Sequence, residues 1–248
     1  MPDTAPVALI TGSAHRLGAQ AAQALHRRGW NLVIHYRSRE HQARELAESL
    51  NQERAESVFC LQADLSISAH IKRLADATIA RWGRLDALIN NAAVFYPNPT
   101  EIATEEDWNT ILHTNLRAPF FLLQACLPAL KKTRGSVVNM IDIYSEKPLD
   151  DHPLYCASKA GLASLTRSWA KDLAPDVRVN GVSPGAILWP ENDGEMDKDH
   201  QRAILDKTPL ARTGDPDDIA KTIVFLICDA PFITGQIISV DGGRSLNM

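Results

Sequence analysis

Two kinds of segment take turns along this chain. Short apolar runs rich in β-branched residues read as strands over Val7–Ile10, Asn31–Tyr36, Ser57–Leu61, Leu85–Asn90, Ser136–Asp142, Val177–Val182 and Gln236–Val240. Longer stretches with one apolar face read as helices over Arg16–Arg28, Glu40–Asn51, Ile67–Trp82, Glu105–Lys131, Pro153–Leu173 and Pro216–Cys228. Runs that are apolar at every position, rather than at every second one, belong to strands covered on both faces. A strand–helix unit repeated six times therefore calls for a parallel sheet with right-handed crossovers and helices on both sides. Local punctuation agrees. Gly29 and Gly83 stand where a C′ glycine ends a helix, and Thr104-Glu-Glu-Asp107 and Asp215-Pro216 are helix starts, the second with proline at its first position.

No linker or repeat divides residues 1–248, so one α/β domain is expected. The stretch Ser183–Thr213, rich in Pro, Gly, Asp and Glu, is the long irregular segment and predicts a binding loop or lid. A formal charge of −4 argues against a surface that coats nucleic acid, while leaving room for a local basic patch that holds one small phosphate ligand. The four cysteines form no C-x-x-C pair and no zinc spacing, so neither a disulfide nor a metal is expected and the thiols fit a reducing compartment. No signal peptide is visible, and the apolar run Ile223–Cys228 is far short of the ~20 residues a membrane span needs. A cytoplasmic location follows as the expectation.

The first strand runs into Thr11-Gly-Ser-Ala-His-Arg-Leu-Gly18 and then a helix. Gly12 permits the tight turn and Gly18 the close packing of helix on sheet, which leaves a helix N-terminus open to a pyrophosphate. The strict G-x-G-x-x-G pattern is absent, because Arg16 stands where a middle glycine is expected. The end of the second strand separates the two nicotinamide cofactors: an acid there holds the ribose 2′-hydroxyl of NAD, a cation the 2′-phosphate of NADP. This chain reads His35-Tyr-Arg-Ser-Arg39, with no acid before Glu40. Arg37 and Arg39 offer charged forks, Ser38 a hydroxyl and Arg16 a further cation, so NADPH is the expected cofactor. Asp64-Leu65 and Asn90-Asn-Ala-Ala93 follow the third and fourth strands, at the carboxyl edge where such sheets bind ligands. Asp64 suits an adenine amine, and Ala92 and Ala93 let a ring approach the backbone.

Tyr155-Cys-Ala-Ser-Lys159 puts a phenol and an ammonium on one helical face, and a cation there is expected to draw the phenol pKa toward neutrality. Tyr144-Ser-Glu-Lys147 has the wrong spacing for the same role. Asp142 ends the strand before Tyr155, and Asn115 sits mid-helix, where its poor propensity asks for a reason.

Together, Thr11-Gly12…Gly18, Asp64, Asn91-Ala92, Asn115, Tyr155…Lys159 and Pro184-Gly185 resemble the short-chain dehydrogenase/reductase family over nearly the whole chain. The resemblance implies a single Rossmann-type doubly wound domain with a parallel seven-stranded sheet, commonly a homotetramer. It implies Tyr155 as proton donor, Lys159 as the group that holds the nicotinamide ribose and tunes Tyr155, and Asn115 as support for a relay water. It places the cofactor on Gly12, Ser13, Arg16, Leu17, Gly18, Tyr36, Arg37, Ser38, Asp64, Leu65, Asn91, Ala92, Ala93, Tyr155, Lys159, Pro184 and Gly185.

Departures from the common pattern sharpen the reading. Most members carry serine where this chain has Asp142 and glycine where it has Arg16. Arg16, Asp142, His35-Tyr36 with the Arg and Ser that follow, and Phe95-Tyr-Pro97 resemble the pteridine reductase branch instead. That likeness implies that Arg16 touches cofactor phosphate and pterin, that Phe95 stacks on the pterin, and that Asp142 works with Tyr155 as proton source. Ala93 stands where a substrate serine is usual. Trp189, in the 183–213 segment, is expected to close over the ring. The expected activity is NADPH-dependent reduction of a dihydropterin or dihydrofolate. Two alternatives stand beside it: a carbonyl reductase acting on a 3-oxoacyl thioester, and a non-catalytic NADP-binding regulator. No nucleic acid, membrane or metal partner is expected.

Overall fold

The computed structural model describes residues 5–189 and 198–248. Seven strands form one parallel sheet: β1 Val7–Ile10, β2 Asn31–Tyr36, β3 Val58–Gln62, β4 Ala87–Asn90, β5 Ser136–Met140, β6 Arg178–Pro184 and β7 Ile237–Val240. Their order is β3-β2-β1-β4-β5-β6-β7, and every pairing is parallel. Helices α1 Arg16–Arg27, α2 Glu40–Glu53 and α8 Pro216–Val224 cover one face; α3 Ser68–Trp82, α5 Ala118–Thr133 and α6 Pro153–Asp172 cover the other. The fold is the doubly wound, Rossmann-type arrangement. The order reverses between β1 and β4, and a crevice opens at such a switch point beyond the carboxyl ends of the strands.

The double cover explains the apolar runs. Every residue of β1, β2, β4 and β5 is buried, with Leu9, Ile10, Leu32, Ile34, Leu88 and Ile89 at the bottom of two core layers. The edges depart from that expectation: β3 leaves Phe59 exposed, and β7 is only half-buried, because an edge strand lacks a neighbour on one side. Gly83 ends α3 in the left-handed conformation at φ +71°. Thr104 and Asp215 each form a reciprocal capping box, at α4 Glu105–Leu112 and at α8.

Four expected elements need correction. The helix read over 105–131 is interrupted by a π-helical segment at His113–Arg117, which adds a residue to the turn and rotates Asn115 inward. The pattern over 216–228 likewise passes into a π turn at Phe225–Asp229. Strand β5 stops at Met140, because Asp142 leaves the ladder to cap the next turn. The stretch 183–213 is less irregular than its composition suggests. It opens with the last residues of β6 and contains α7 Lys198–Asp206, whose one buried apolar residue, Ile204, is too little pattern to read in a polar run. Residues 190–197 of that expected lid lie outside the described residues.

Candidate active site

The β1–α1 turn, the β2–α2 turn and the ends of β3 and β4 enclose a groove of about 480 Å³. Gly12, Arg16, Leu17, Gly18, Tyr36, Arg37, Ser38, Arg39, Asp64, Leu65, Asn91, Ala92 and Ala93 all line it, so most of the residues expected to hold the cofactor meet in one place, while Ser13, Tyr155, Lys159, Pro184 and Gly185 lie outside its lining. A larger cavity of about 630 Å³ opens beside Pro209, Lys221 and Asp241 and contains none of the catalytic candidates.

The floor of the groove has no room for side chains. A Cβ on Gly18 would lie 2.6 Å from the Gly12 carbonyl oxygen and 2.6 Å from Asn91 Nδ2, and Gly12 itself sits at φ +62°. Asn91 stitches the turn to β4, donating from Nδ2 to the carbonyls of Thr11 (2.8 Å) and Gly12 (3.0 Å). Ser13 stands behind the turn, fully buried, donating to Ile10 O at 2.7 Å and accepting from His35 N at 3.2 Å. Asp64 receives Ser66 N and Ser66 Oγ on one oxygen, and that hydroxyl holds its carboxyl below the usual range. Gly185 packs its backbone against Asp241, where a Cβ would come within 2.6 Å of the Asp241 Cβ, and Pro184 is buried beside it.

Arg16 keeps a left-handed backbone, φ +54°, where the pattern called for glycine. Its guanidinium compensates by reaching across the groove to the carbonyls of Leu188 and Trp189, each at 3.2 Å. Residues 188–189 of the 183–213 segment are thereby tied to the turn after β1.

Sequence reasoning missed His35 as a site residue. It is buried, accepts from Gly12 N at Nδ1 (3.0 Å) and reaches Ala63 O from Nε2 (3.0 Å), so the neutral ring bolts the turn to the end of β3. Burial depresses its pKa from 6.5 to about 4. A depressed histidine contributes stability above pH 6.5 and loses it as pH falls toward 4, about 3 kcal/mol over the whole window. His35→Gln cannot titrate and is expected to lose that pH dependence, so that in urea unfolding its stability relative to wild type improves by about 3 kcal/mol between pH 7.5 and pH 4.5. A gap independent of pH would contradict the bolt.

At the other end, Tyr155 Oη donates to Asp142 Oδ2 at 2.7 Å, while Asp142 Oδ1 accepts from Tyr144 N at 3.0 Å. Lys159 Nζ donates to Met140 O at 2.8 Å and lies 5.7 Å from the Tyr155 ring centre. The expectation that Lys159 draws the phenol pKa down is not met. Burial and then the Asp142 charge push Tyr155 well above 10, because the carboxylate is in contact and the ammonium is turned to a carbonyl. Burial also raises Asp142 and lowers Lys159 to about 8. Tyr155 therefore holds its proton at neutral pH, hydrogen-bonded to Asp142.

The Asn115 side chain brackets Val94, accepting from its N (2.7 Å) and donating to its O (2.9 Å), and reaches Ser158 Oγ at 3.2 Å. That clamp is the reason for an asparagine in the middle of this helical run, and it sets the loop carrying Phe95. The Phe95 ring stacks on His152 at 4.6 Å and meets Tyr155 edge-on at 4.8 Å, and 45% of the residue remains exposed. Asn98 ties the same loop to the start of α6, through Asp151 O at 2.7 Å and Leu154 N at 3.2 Å. Neither His152 nor Asn98 belongs to a motif, so neither was legible. Among the described residues no group of His, Cys, Asp and Glu could hold a metal, and no helix is long and apolar enough to cross a membrane.

Comparison with known proteins is consistent across the chain. The family described as enoyl-(acyl carrier protein) reductase matches residues 12–245. A pteridine reductase 1 of Leishmania tarentolae is 35% identical over an alignment 285 residues long, covering 98% of this chain and 97% of that protein. A 3-oxoacyl-(acyl-carrier-protein) reductase of Staphylococcus aureus is 32% identical over 239 residues, covering 95% and 96%. A granaticin polyketide synthase putative ketoacyl reductase 2 of Streptomyces violaceoruber is 34% identical over 248 residues, covering 98% and 97%.

Proposed function

The chain belongs to the short-chain dehydrogenase/reductase family of NAD(P)H oxidoreductases, and from that premise we propose that it is an NADPH-dependent pteridine reductase. The observation that carries this reading is the Tyr155–Asp142 hydrogen bond of 2.7 Å beside an exposed aromatic face at Phe95. A carbonyl needs one proton donor. A pterin C=N bond receives a proton on a ring nitrogen, and an acid linked to the donor serves to refill it.

The groove fits the dinucleotide: its floor is stripped of Cβ atoms where a pyrophosphate would lie, and Arg37, Ser38 and Arg39 offer cations and a hydroxyl where a 2′-phosphate would lie. When bound, NADPH supplies the hydride for the ring carbon of the C=N bond. Tyr155 donates the proton to the adjacent nitrogen from its Oη, and Asp142, in its protonated form, returns one to the phenolate across the same oxygen pair and is itself reprotonated from solvent. Lys159 keeps its ammonium beneath Tyr155 and offers a donor to the ribose. Phe95, backed by His152, holds a flat heteroaromatic ring by stacking. Arg16, which already spans the groove mouth to Leu188 and Trp189, faces both phosphate and substrate. The exposed aromatic side chains Trp108, Phe120 and Phe121 on α4 and α5 offer a surface for a subunit contact, as a homotetramer would need, and a cytoplasmic setting suits the free thiols.

The second reading is a 3-oxoacyl thioester reductase, favoured by relatives of that name at nearly the same identity. The intact Tyr155–Lys159 pair speaks against a regulator without turnover. Parallel assays of NADPH oxidation decide between them. Dihydrobiopterin or dihydrofolate is expected to turn over at least about tenfold faster per enzyme than an acetoacetyl thioester, a difference of about 1.4 kcal/mol in barrier. The reverse preference overturns the proposal.

A further inference from the structure

The last residues of the chain read Asp241-Gly-Gly-Arg-Ser-Leu-Asn-Met248, and no step above uses them. Their geometry is nevertheless specific. Gly242 and Gly243 lie at φ +63° and +84°, and a Cβ on either would come within 2.9 Å of Thr208 or Pro209. Asp241 caps the turn from its side chain, accepting from Gly243 N at 3.0 Å and Ser245 N at 2.8 Å. The turn delivers Arg244 inward, to 8% exposure.

There the guanidinium meets Tyr144. Nη2 donates to the Tyr144 hydroxyl at 3.1 Å, and the carbon of the guanidinium lies 5.8 Å from the ring centre. Its Nε is buried with no acceptor among the described residues. A buried cation with one neutral acceptor and an unmet N–H is not a stabilising arrangement. Tyr144 N in turn holds Asp142 Oδ1, whose other oxygen receives Tyr155 Oη.

We propose that Arg244 is a positioning residue of the proton relay: the tail brings its charge, in the same chain, behind Tyr144 and so behind Asp142. The inference rests on the relay reading of Asp142 and Tyr155 given above. The groups that face Asp142 are Tyr144 from the turn after β5, Tyr155 and Lys159 from α6, and Arg244 from the tail. Cys156 of α6 also faces both tyrosines. Of these, Lys159 and Arg244 are the cations that oppose the effect of burial on Asp142.

The test is the pH profile of kcat for wild type, Arg244→Leu, Arg244→Lys and Tyr144→Phe at saturating NADPH and dihydropterin. Loss of the guanidinium is expected to move the limb that reports the relay upward by about one pH unit. Arg244→Lys should restore most of that shift, Tyr144→Phe should move the limb the same way by less, and NADPH affinity should be unchanged in all three. A limb in Arg244→Leu that coincides with wild type overturns the proposal, as does a shift that Lys fails to reduce. If Arg244→Leu binds no NADPH and so has not folded, Tyr144→Phe decides, and a wild-type profile there overturns it. A wild-type enzyme that reduces only thioesters would instead sink the pteridine reading, and the same limbs would then be followed on that substrate.

Discussion

Tyr155→Phe is expected to lower kcat on dihydrobiopterin about 1000-fold, or about 4 kcal/mol in barrier, while NADPH binding stays within about threefold of wild type. The phenol is the hydroxyl that the site brings together with Asp142, Lys159 and the Phe95 face. Phe keeps the ring that Phe95 and Lys159 pack against, so the loss isolates the proton. The companion variant Asp142→Ser separates the two substrate readings. Serine can still cap Tyr144 N through its single hydroxyl oxygen, so the turn at the end of β5 survives, whereas the second carboxylate oxygen that meets Tyr155 is gone. What disappears is the acid behind the donor. Pterin reduction is expected to fall about 100-fold, within the range for loss of one acid–base group, while any thioester reduction changes by less than about threefold. Equal losses on both substrates would remove the reason for assigning Asp142 to a pterin relay, and a Tyr155→Phe enzyme with a tenth of wild-type kcat would remove Tyr155 as the donor.

The strands were legible because double burial writes itself into composition. Val7–Ile10 and Asn31–Tyr36 match the expected bounds at both ends. The site was legible where chemistry fixes a spacing, as for Tyr155 and Lys159 on one helical face or Gly12 and Gly18 around one turn. It was not legible where a residue works across the fold. His35 and Gly12 are 23 residues apart, Asn98 and Leu154 56 apart, and Arg244 and Tyr144 100 apart, so no local pattern can pair them. The Tyr144 segment shows the cost of judging by spacing alone. It fails as a Tyr-x-x-x-Lys pair, yet Tyr144 sits directly behind Asp142. Nor does the Tyr-x-x-x-Lys spacing say how deeply the phenol is buried, and it was burial that reversed the expected direction for Tyr155.

Gly18→Ala is expected to raise the NADPH dissociation constant on the order of 100-fold, and Arg16→Gly to act quite differently. The two positions lie two residues apart in the same turn, so their contrast tests whether the groove is shaped by backbone or by charge. At Gly18 the obstacle is space: a single methyl would lie 2.6 Å from the Gly12 carbonyl, which is backbone and cannot swing aside. Either the turn opens, and the N–H groups that would face the pyrophosphate lose their aim, or α1 backs away from the sheet. Both outcomes strike binding before chemistry, so kcat at saturating NADPH should fall far less than affinity. At Arg16 the side chain fits, and the cost is the left-handed φ of +54°, about 1 kcal/mol for a residue with a Cβ. Glycine relieves that strain but releases Leu188 and Trp189. Arg16→Gly should therefore retain or slightly gain unfolding stability in urea while its KM for the dihydropterin rises about tenfold, the loss of one charge-assisted contact. A Gly18→Ala protein that binds NADPH as wild type does would mean that the turn yields freely, and the groove would then owe its selectivity to Arg16, Arg37 and Arg39 rather than to its floor.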